Sequence, residues 1–136
     1  MQQEQGRSVR RYDEFLAKVR EHGEYADQTE ADRATRAVLG LLGQRLVDGE
    51  RKDLAAQLPG ELQDAVLTAG PQEAFGVEEF LRRVAGELSA TEETARWDAS
   101  AVLTTLAEAV SGGELNQILT QLPAGYAPLF GKADLA

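Results

Sequence analysis

The sequence predicts an all-α protein made of two tandem, pseudo-symmetric repeats of about four helices each, packed as a compact helical bundle. Apolar residues recur at spacings of three and four along almost the whole chain, as in helices with one buried face. No segment shows the sustained alternation of apolar and polar residues that is typical of a strand. The tripeptide Gln-Leu-Pro occurs at residues 57–59 and 121–123, which indicates an internal repeat with an offset of 64 residues.

The composition excludes several classes of protein. The chain of 136 residues has 14 basic and 23 acidic residues and a net charge of −9. Because such a surface repels phosphate backbones and anionic lipids, we expect neither nucleic acid nor a membrane as a partner. The chain contains no cysteine, which excludes disulfides and thiolate chemistry. The first residues lack the apolar stretch of a signal peptide, so we expect a cytoplasmic protein.

The first two predicted helices follow a polar segment. Residues 1–11 have almost no apolar anchor, so we expect a disordered tail there. The first helix ends near Gly23, which can adopt the left-handed conformation that closes a helix. The second helix has Thr29 as its predicted N-cap and Asp32 in its first turn. The buried stripes of the two helices are Tyr12, Phe15, Leu16 and Val19, and then Ala34, Ala37, Val38, Leu41, Leu42 and Leu46.

The third and fourth helices meet at a predicted corner. Gly49 interrupts the second helix, and Glu50 lies in the first turn of a third helix that continues to Leu58. Pro59 disfavours the α conformation in the residue before it, so the third helix must end at Leu58. Pro59 has a fixed φ and no N–H, which suits the first position of a fourth helix. We therefore predict a structural corner formed by Gln57, Leu58 and Pro59, with Leu58 facing the core.

The second half repeats this order of elements. Gly113 and Glu114 correspond to Gly49 and Glu50, and Ser111 has capping-box spacing to Glu114. The stripe of the long helix consists of Ala95, Ala99, Val102, Leu103, Leu106 and Val110. A second structural corner is predicted at Gln121, Leu122 and Pro123.

These correspondences divide the chain into two repeats and a linker. We place repeat 1 at residues 12–70 and repeat 2 at residues 77–131. The linker at residues 71–76 contains Pro71 and Gly76, which disfavour a further helix. We expect the two repeats to form one compact domain.

No residue pattern predicts a catalytic, cofactor-binding or metal site. His22 is the only histidine, which excludes sites that need two imidazoles, and we expect it on the surface without a partner. The carboxylates, Asp98 among them, are expected on solvated helix faces. Residues 48–53 do not fit a calcium-binding loop of the EF-hand type, because Arg51 and Lys52 occupy the middle of the segment.

Three residues allow two interpretations each. Trp97 lies off the main apolar stripe of its helix. It either packs against the other repeat or the linker near Phe75, or serves as an exposed anchor for a partner protein. Gln57 and Gln121 either bond to free backbone groups at the Leu-Pro corners or line a groove.

The repeated segments resemble a known family. The segments are "EFL", "RATRAVLGLLGQRL" and "GERKDLAAQLP" in the first half, and "EEFLRRV" and "SAVLTTLAEAVSGGELNQILTQLP" in the second. Together they resemble the bacterial domain-of-unknown-function 2267 family from about residue 12 to residue 130. The resemblance implies a small helical protein of tandem repeats. It implies no activity, because none is assigned to the family, and it offers no catalytic residues to carry over.

We therefore expect a protein-interaction or assembly and regulatory module without catalysis or cofactor. Its partner would be an unidentified protein or a second copy of the chain. The alternative is a protein that binds a small apolar ligand between the repeats, which requires a cavity of roughly 300 Å³ or more near Trp97 and the linker. An enzyme that uses carboxylates alone would require a strongly raised pKa on an Asp or Glu in a cleft.

Overall fold

The computed structural model describes the backbone of residues 2–132 and the side chains of residues 11–132. Within this range the chain forms seven α-helices and one 3-10 helix, without a strand. The prediction of an all-α protein is therefore confirmed. None of these helices has the length and apolar character that crossing a membrane requires. The elements are α1 (Gln2–Gly23), α2 (Gln28–Arg45), α3 (Asp48–Ala56), α4 (Gly60–Leu67), α5 (Val77–Leu88), α6 (Glu92–Ala109), α7 (Gly112–Gln121) and the 3-10 helix (Ala124–Phe130).

Helix α1 begins at Gln2, whereas we predicted a disordered tail over residues 1–11. Glutamine, glutamate and arginine favour helix, and no proline interrupts this segment. The helix is already held by packing from Tyr12 onward. It can therefore extend towards Gln2 at one hydrogen bond per residue without a new nucleus. Met1 lies outside the described residues.

Helix α2 begins earlier than predicted, because Asp27 rather than Thr29 is its N-cap. Asp27 Oδ1 accepts the N–H of Glu30 at 2.9 Å. Glu30 Oε2 in turn accepts the N–H of Ala26 at 3.2 Å. Aspartate caps helices at least as well as threonine does, so Asp27 suits the position that it takes.

The buried apolar residues form a single core with contributions from both halves of the chain. Helix α1 packs against α2 and α6, helix α2 also packs against α4 and α5, and helix α6 packs against α5 and the 3-10 helix. Val38 and Leu42 of α2 are fully buried, as are Val102 and Leu106 of α6. The chain is therefore one compact helical bundle in which α2 and α6 are central.

The helices of the two halves have related lengths. Helices α2 and α6 have 18 residues each, and α3 and α7 have 9 and 10. The first helices of the two halves differ in length, since α1 has 22 residues and α5 has 12. The duplication itself stays a prediction from the sequence.

Residues 68–76 join α4 to α5 without a helix and include the predicted linker at residues 71–76. The ring of Phe75 is buried in the core. Arg45 Nε donates to the Phe75 carbonyl at 2.8 Å. The guanidinium of Arg83 lies 4.3 Å from the centroid of the Phe75 ring. This connection is therefore fixed to the bundle by a side chain and by its backbone.

The close approach of α2 to α4 depends on Gly43. A Cβ atom at this position would lie 2.6 Å from the Val66 carbonyl oxygen and 3.1 Å from the Cβ of Ala69. Because a backbone oxygen cannot move aside alone, we expect Gly43→Ala to lower the free energy of unfolding by about 1–3 kcal/mol, as measured by urea denaturation. Gly86→Ala in α5 is the control, since nothing lies within 4 Å of its added Cβ. Equal losses of stability in both variants would contradict this packing.

Candidate functional site

The first Leu-Pro corner lies between α3 and α4. Helix α3 ends at Ala56, two residues before the predicted end at Leu58. Leu58 is fully buried in the core. Pro59 has φ −53° and ψ 144° and is the N-cap of α4, one residue before the position we predicted for it. Its carbonyl accepts the N–H of Leu62 at 2.9 Å, which an N-cap residue provides without using its own N–H.

The second corner has the same residues but leads into a different helix. Helix α7 ends at Gln121, and Leu122 is its buried C-cap. Pro123 has φ −57° and ψ 154° and is the N-cap of the 3-10 helix. Pro128 lies inside that helix and has no N–H to donate. The missing donor prevents a full α-helical ladder, which explains why this element differs from α4.

Gln57 connects the first corner to the start of α7. Its Oε1 accepts the backbone N–H of Ser111 at 2.7 Å, and its Nε2 donates to Ser111 Oγ at 3.3 Å. Ser111 Oγ accepts the N–H of Glu114, as predicted, at 3.1 Å. In a capping box the Glu114 carboxyl would accept the backbone N–H of Ser111. Gln57 accepts this N–H instead, so the Glu114 carboxyl is not used there. Of our two interpretations, the first needs correction, because the backbone group that Gln57 bonds belongs to the other half.

Gln121 makes the matching contact in the opposite direction. Its Nε2 donates to Glu50 Oε2 at 3.2 Å, and Glu50 lies in the first turn of α3. Gln121 therefore bonds to a side chain of the other half instead of a backbone group at its own corner. Each corner glutamine thus contacts the beginning of the short helix in the opposite half, and α3 contacts α7 there.

Three carboxylates meet at this contact, and we call Glu50, Asp53 and Glu114 the acidic cluster. One oxygen from each residue lies within 4.8 Å of the others. Glu50 and Glu114 are each only 6% exposed, whereas Asp53 is exposed. Glu50 Oε1 and Glu114 Oε2 are buried without a hydrogen-bond partner among the described residues. Our expectation of solvated carboxylates is therefore wrong for Glu50 and Glu114, because contacts between the two halves cover them.

The acidic cluster holds a carboxyl group that resists ionisation. Burial raises the pKa of Glu114 from 4.5 to about 8, and the facing carboxyl of Glu50 acts in the same direction. Arg51, the next residue in α3, is buried but donates its Nε to the Leu46 carbonyl at 3.1 Å. Its Nη2 has no hydrogen-bond partner among residues 11–132. At neutral pH the Glu114 carboxyl is therefore largely protonated.

A groove lies between α1, the first corner and the end of α6, and we call it the α1–α6 groove. Its volume is about 500 Å³. It is open to solvent along one side, and Gln57 is one of its lining residues. Its apolar lining consists of Phe15, Ala17, Pro59 and Ala109. Its charged lining consists of Arg11, Glu14, Lys18, Glu21 and Glu108.

Trp97 lies at the contact between α6 and the end of α1. The residue is 51% exposed, and its Nε1 donates to the Gly23 carbonyl at 2.9 Å. The indole thus contacts the other half while half of its surface faces solvent. The cavity beside it has a volume of about 130 Å³, which is too small for the apolar ligand site that we predicted near this residue. His22 lines the same cavity and has a partner that we did not predict, since its Nε2 lies 3.0 Å from Glu108 Oε1.

Asp98 is a third carboxylate that we wrongly placed on a solvated face. It is 7% exposed, and it accepts a hydrogen bond of 2.6 Å from Tyr25 Oη. Burial raises the pKa of both Asp98 and Tyr25. Tyr25 supplies a donor to this buried carboxylate, whereas two carboxylate oxygens of the acidic cluster have no partner among the described residues.

Comparison with known proteins relates the chain to a family without an assigned activity. The sequence profile of the family described as "Uncharacterized conserved protein (DUF2267)" matches residues 12–129. The match includes both corners, the acidic cluster and most of the α1–α6 groove. No curated protein matches the chain.

The pKa of Glu114 predicts how stability depends on pH. The folded chain binds a proton at Glu114 up to about pH 8, whereas an unperturbed carboxyl releases it near pH 4.5. The free energy of unfolding should therefore fall as the pH rises through this window. Glu114→Gln should remove that part of the slope and stabilise the protein at pH 8.5 by about 1–3 kcal/mol. Urea denaturation at pH 5, 6.5 and 8.5 with a chelator present measures both effects.

Glu93→Gln is the matched control for this prediction. Glu93 is an exposed glutamate in the first turn of α6 and lies outside the acidic cluster. Its variant should keep the slope of the unsubstituted chain, which accounts for all other titrating groups. If Glu114→Gln also kept that slope, Glu114 would not hold its proton in the folded state.

Proposed function

Because the chain belongs to the DUF2267 family, whose description assigns no activity, we propose its function from the geometry of the α1–α6 groove. We propose a protein-interaction module that acts without catalysis and binds an amphipathic helix of a partner protein. The observation that carries the proposal is the open groove of about 500 Å³ with Phe15, Ala17, Pro59 and Ala109 in its lining. Apolar side chains at helical spacing on a partner would pack against the exposed Ala17 and Ala109 and against the small exposed parts of the otherwise buried Phe15 and Pro59.

The dimensions of the groove suit a helix. Its lining residues on α1 run from Arg11 to Glu21, which is a rise of about 15 Å along the helix. A partner helix of about three turns would match this length. Ala17 and Ala109 are exposed small residues in the lining from the two facing helices, so a helix backbone could approach closely between them.

Charge favours a basic partner. Lys18 lies 4.0 Å from Glu21, and Arg11 donates to the Gln57 carbonyl, so both cations of the groove already have partners. Glu14 has no such partner among the described residues, and the whole chain has a net charge of −9. A partner helix with lysine or arginine beside its apolar stripe would therefore be attracted at long range and oriented in the groove.

The alternative of a small apolar ligand keeps support from the groove volume alone. Sites for such ligands typically enclose 70–90% or more of the ligand surface. An open groove leaves one side of the ligand in water, so we rank this alternative second. The raised pKa of Glu114 meets one requirement of a carboxylate enzyme, but Glu114 does not line the groove.

We propose a cytoplasmic location for the protein, because its lack of cysteine suits a reducing compartment.

A designed helical peptide tests the proposal. The peptide has 16 residues, leucines at positions i, i+3, i+4 and i+7, and lysines beside this apolar stripe. We expect it to bind with a Kd in the micromolar range and to shift amide resonances of residues 14–18 and 105–109 in the isotope-labelled chain. Ala17→Lys should weaken binding at least about tenfold, because it fills the groove and repels the peptide.

The control variant introduces the same side chain elsewhere. Ala124→Lys changes an exposed alanine at the start of the 3-10 helix, outside the groove lining, and should leave the Kd unchanged within about twofold. Decanoate, titrated separately, tests the alternative ligand class. Saturable shifts of the groove residues by decanoate but not by the peptide would favour the small-ligand function. Shifts that depend on protein concentration alone would identify a second copy of the chain as the partner, and no binding at all would contradict the proposal.

A further inference from the structure

The acidic cluster joins residues that are distant in the sequence. Glu50 and Asp53 belong to α3, and Glu114 belongs to α7. A carboxylate oxygen from each residue lies within 4.8 Å of the other two. The cluster is separate from the α1–α6 groove, because none of its three residues lines that groove.

Two of these carboxylates are buried without adequate hydrogen bonds. Glu50 and Glu114 are each 6% exposed, and Glu50 Oε1 and Glu114 Oε2 have no partner among the described residues. Gln121 Nε2, at 3.2 Å from Glu50 Oε2, is the donor that the surroundings supply to the pair. Buried polar atoms almost always have a partner, and unsatisfied buried carboxylate oxygens are costly. The two unsatisfied oxygens therefore need either a shared proton or a cation between them.

From this geometry we propose that Glu50, Asp53 and Glu114 form a binding site for a divalent cation that prefers oxygen ligands, with Ca²⁺ as the best fit. The donor set contains only oxygen atoms, which hard cations such as Ca²⁺ and Mg²⁺ prefer, and it lacks the nitrogen and sulfur donors typical of zinc sites. Two oxygens bound to one Ca²⁺ lie at most about 4.6–5.2 Å apart, since each bond measures about 2.3–2.6 Å, and the three cluster oxygens, all within 4.8 Å of one another, meet this limit. The limit for Mg²⁺ is smaller, about 4.2 Å, because its bonds measure about 2.0–2.1 Å.

Further oxygen ligands for the cation are available beside the acidic cluster. Ca²⁺ takes 6–8 oxygen ligands, and carboxylates can each supply one or two. Asp53 is exposed, so water can reach the cation from its side of the cluster. The side-chain amide of Gln121 lies next to Glu50, and its oxygen would face the site if the amide were rotated. Binding would connect α3 to α7 and so hold the two halves of the chain together.

A shared proton is the competing explanation of the same geometry. One proton between Glu50 and Glu114 would satisfy one oxygen of each carboxyl, and Asp53 would act on it only through its charge, not as a ligand. A cation uses all three residues and binds more tightly as protons leave the site. The two explanations therefore differ in the effect of Asp53 and in the response to added metal at alkaline pH.

Thermal unfolding of the full chain at pH 8 distinguishes them. We expect 10 mM CaCl₂ to raise the Tm by about 5 °C or more relative to a NaCl control of equal ionic strength, if the Kd is near 0.1 mM. MgCl₂ should have a smaller effect. Asp53→Asn, Glu50→Gln and Glu114→Gln should each abolish most of the increase. Glu93→Gln should retain it, because this exposed glutamate lies outside the cluster.

Manganese provides a second measurement that does not depend on stability. At a small fraction of one equivalent, paramagnetic Mn²⁺ should broaden the amide resonances of residues 49–54 and 113–115 before those of other acidic segments. Circular dichroism of each variant shows that it folds. An unchanged Tm with CaCl₂ in the unsubstituted chain would overturn the proposal in favour of the shared proton. Retention of the CaCl₂ effect in all three cluster variants, or broadening spread evenly over the acidic surface, would overturn it as well.

Discussion

The contact between the two corners and the opposite short helices determines how the halves of this chain meet. Gln57 bonds to Ser111 at the start of α7, and Gln121 bonds to Glu50 at the start of α3. Because Gln57 takes the Ser111 N–H, the Glu114 carboxyl is left to face Glu50. Arg11 of α1 bonds to the Gln57 carbonyl, so the same corner also positions one end of the α1–α6 groove. The groove and the acidic cluster therefore share one structural support.

The contact between the halves places two buried carboxyl groups, an unfavourable pair, at the edge of the favourable apolar core. The single apolar core spans both halves and supplies the main stabilisation of the bundle. Two carboxyls at its edge oppose that stabilisation, because their burial raises the pKa of Glu114 to about 8. An apolar pair at these positions would avoid the cost of burying the two carboxyls. We infer that the carboxyls have a role other than stability, and a bound cation would both explain them and connect the halves.

The sequence predicted the parts of the structure that depend on local physics. Apolar spacing predicted the helices, and the ring of Pro59 predicted the break between α3 and α4 within two residues. The sequence could not predict the acidic cluster, because residues 48–53 contain only two of its carboxylates. The third carboxylate comes from Glu114, which is distant in the sequence. The repeated Gly-Glu turns were a usable signal, since Glu50 and Glu114 occupy matching places in the two turns and lie close together in the structure. We predicted too late a start for α1, because its apolar stripe begins at Tyr12. The stripe gives no information on the helix propensity of the polar residues before it.

The most direct test of this account is a double-mutant cycle between Glu50→Gln and Glu114→Gln, measured by urea denaturation at pH 8.5 with a chelator. If the two carboxyls face each other, either substitution removes their repulsion, and the second then adds little. We expect the free-energy changes to deviate from additivity by about 1 kcal/mol or more. Additivity within about 0.5 kcal/mol would show that the two side chains do not interact and that α3 and α7 do not meet as described.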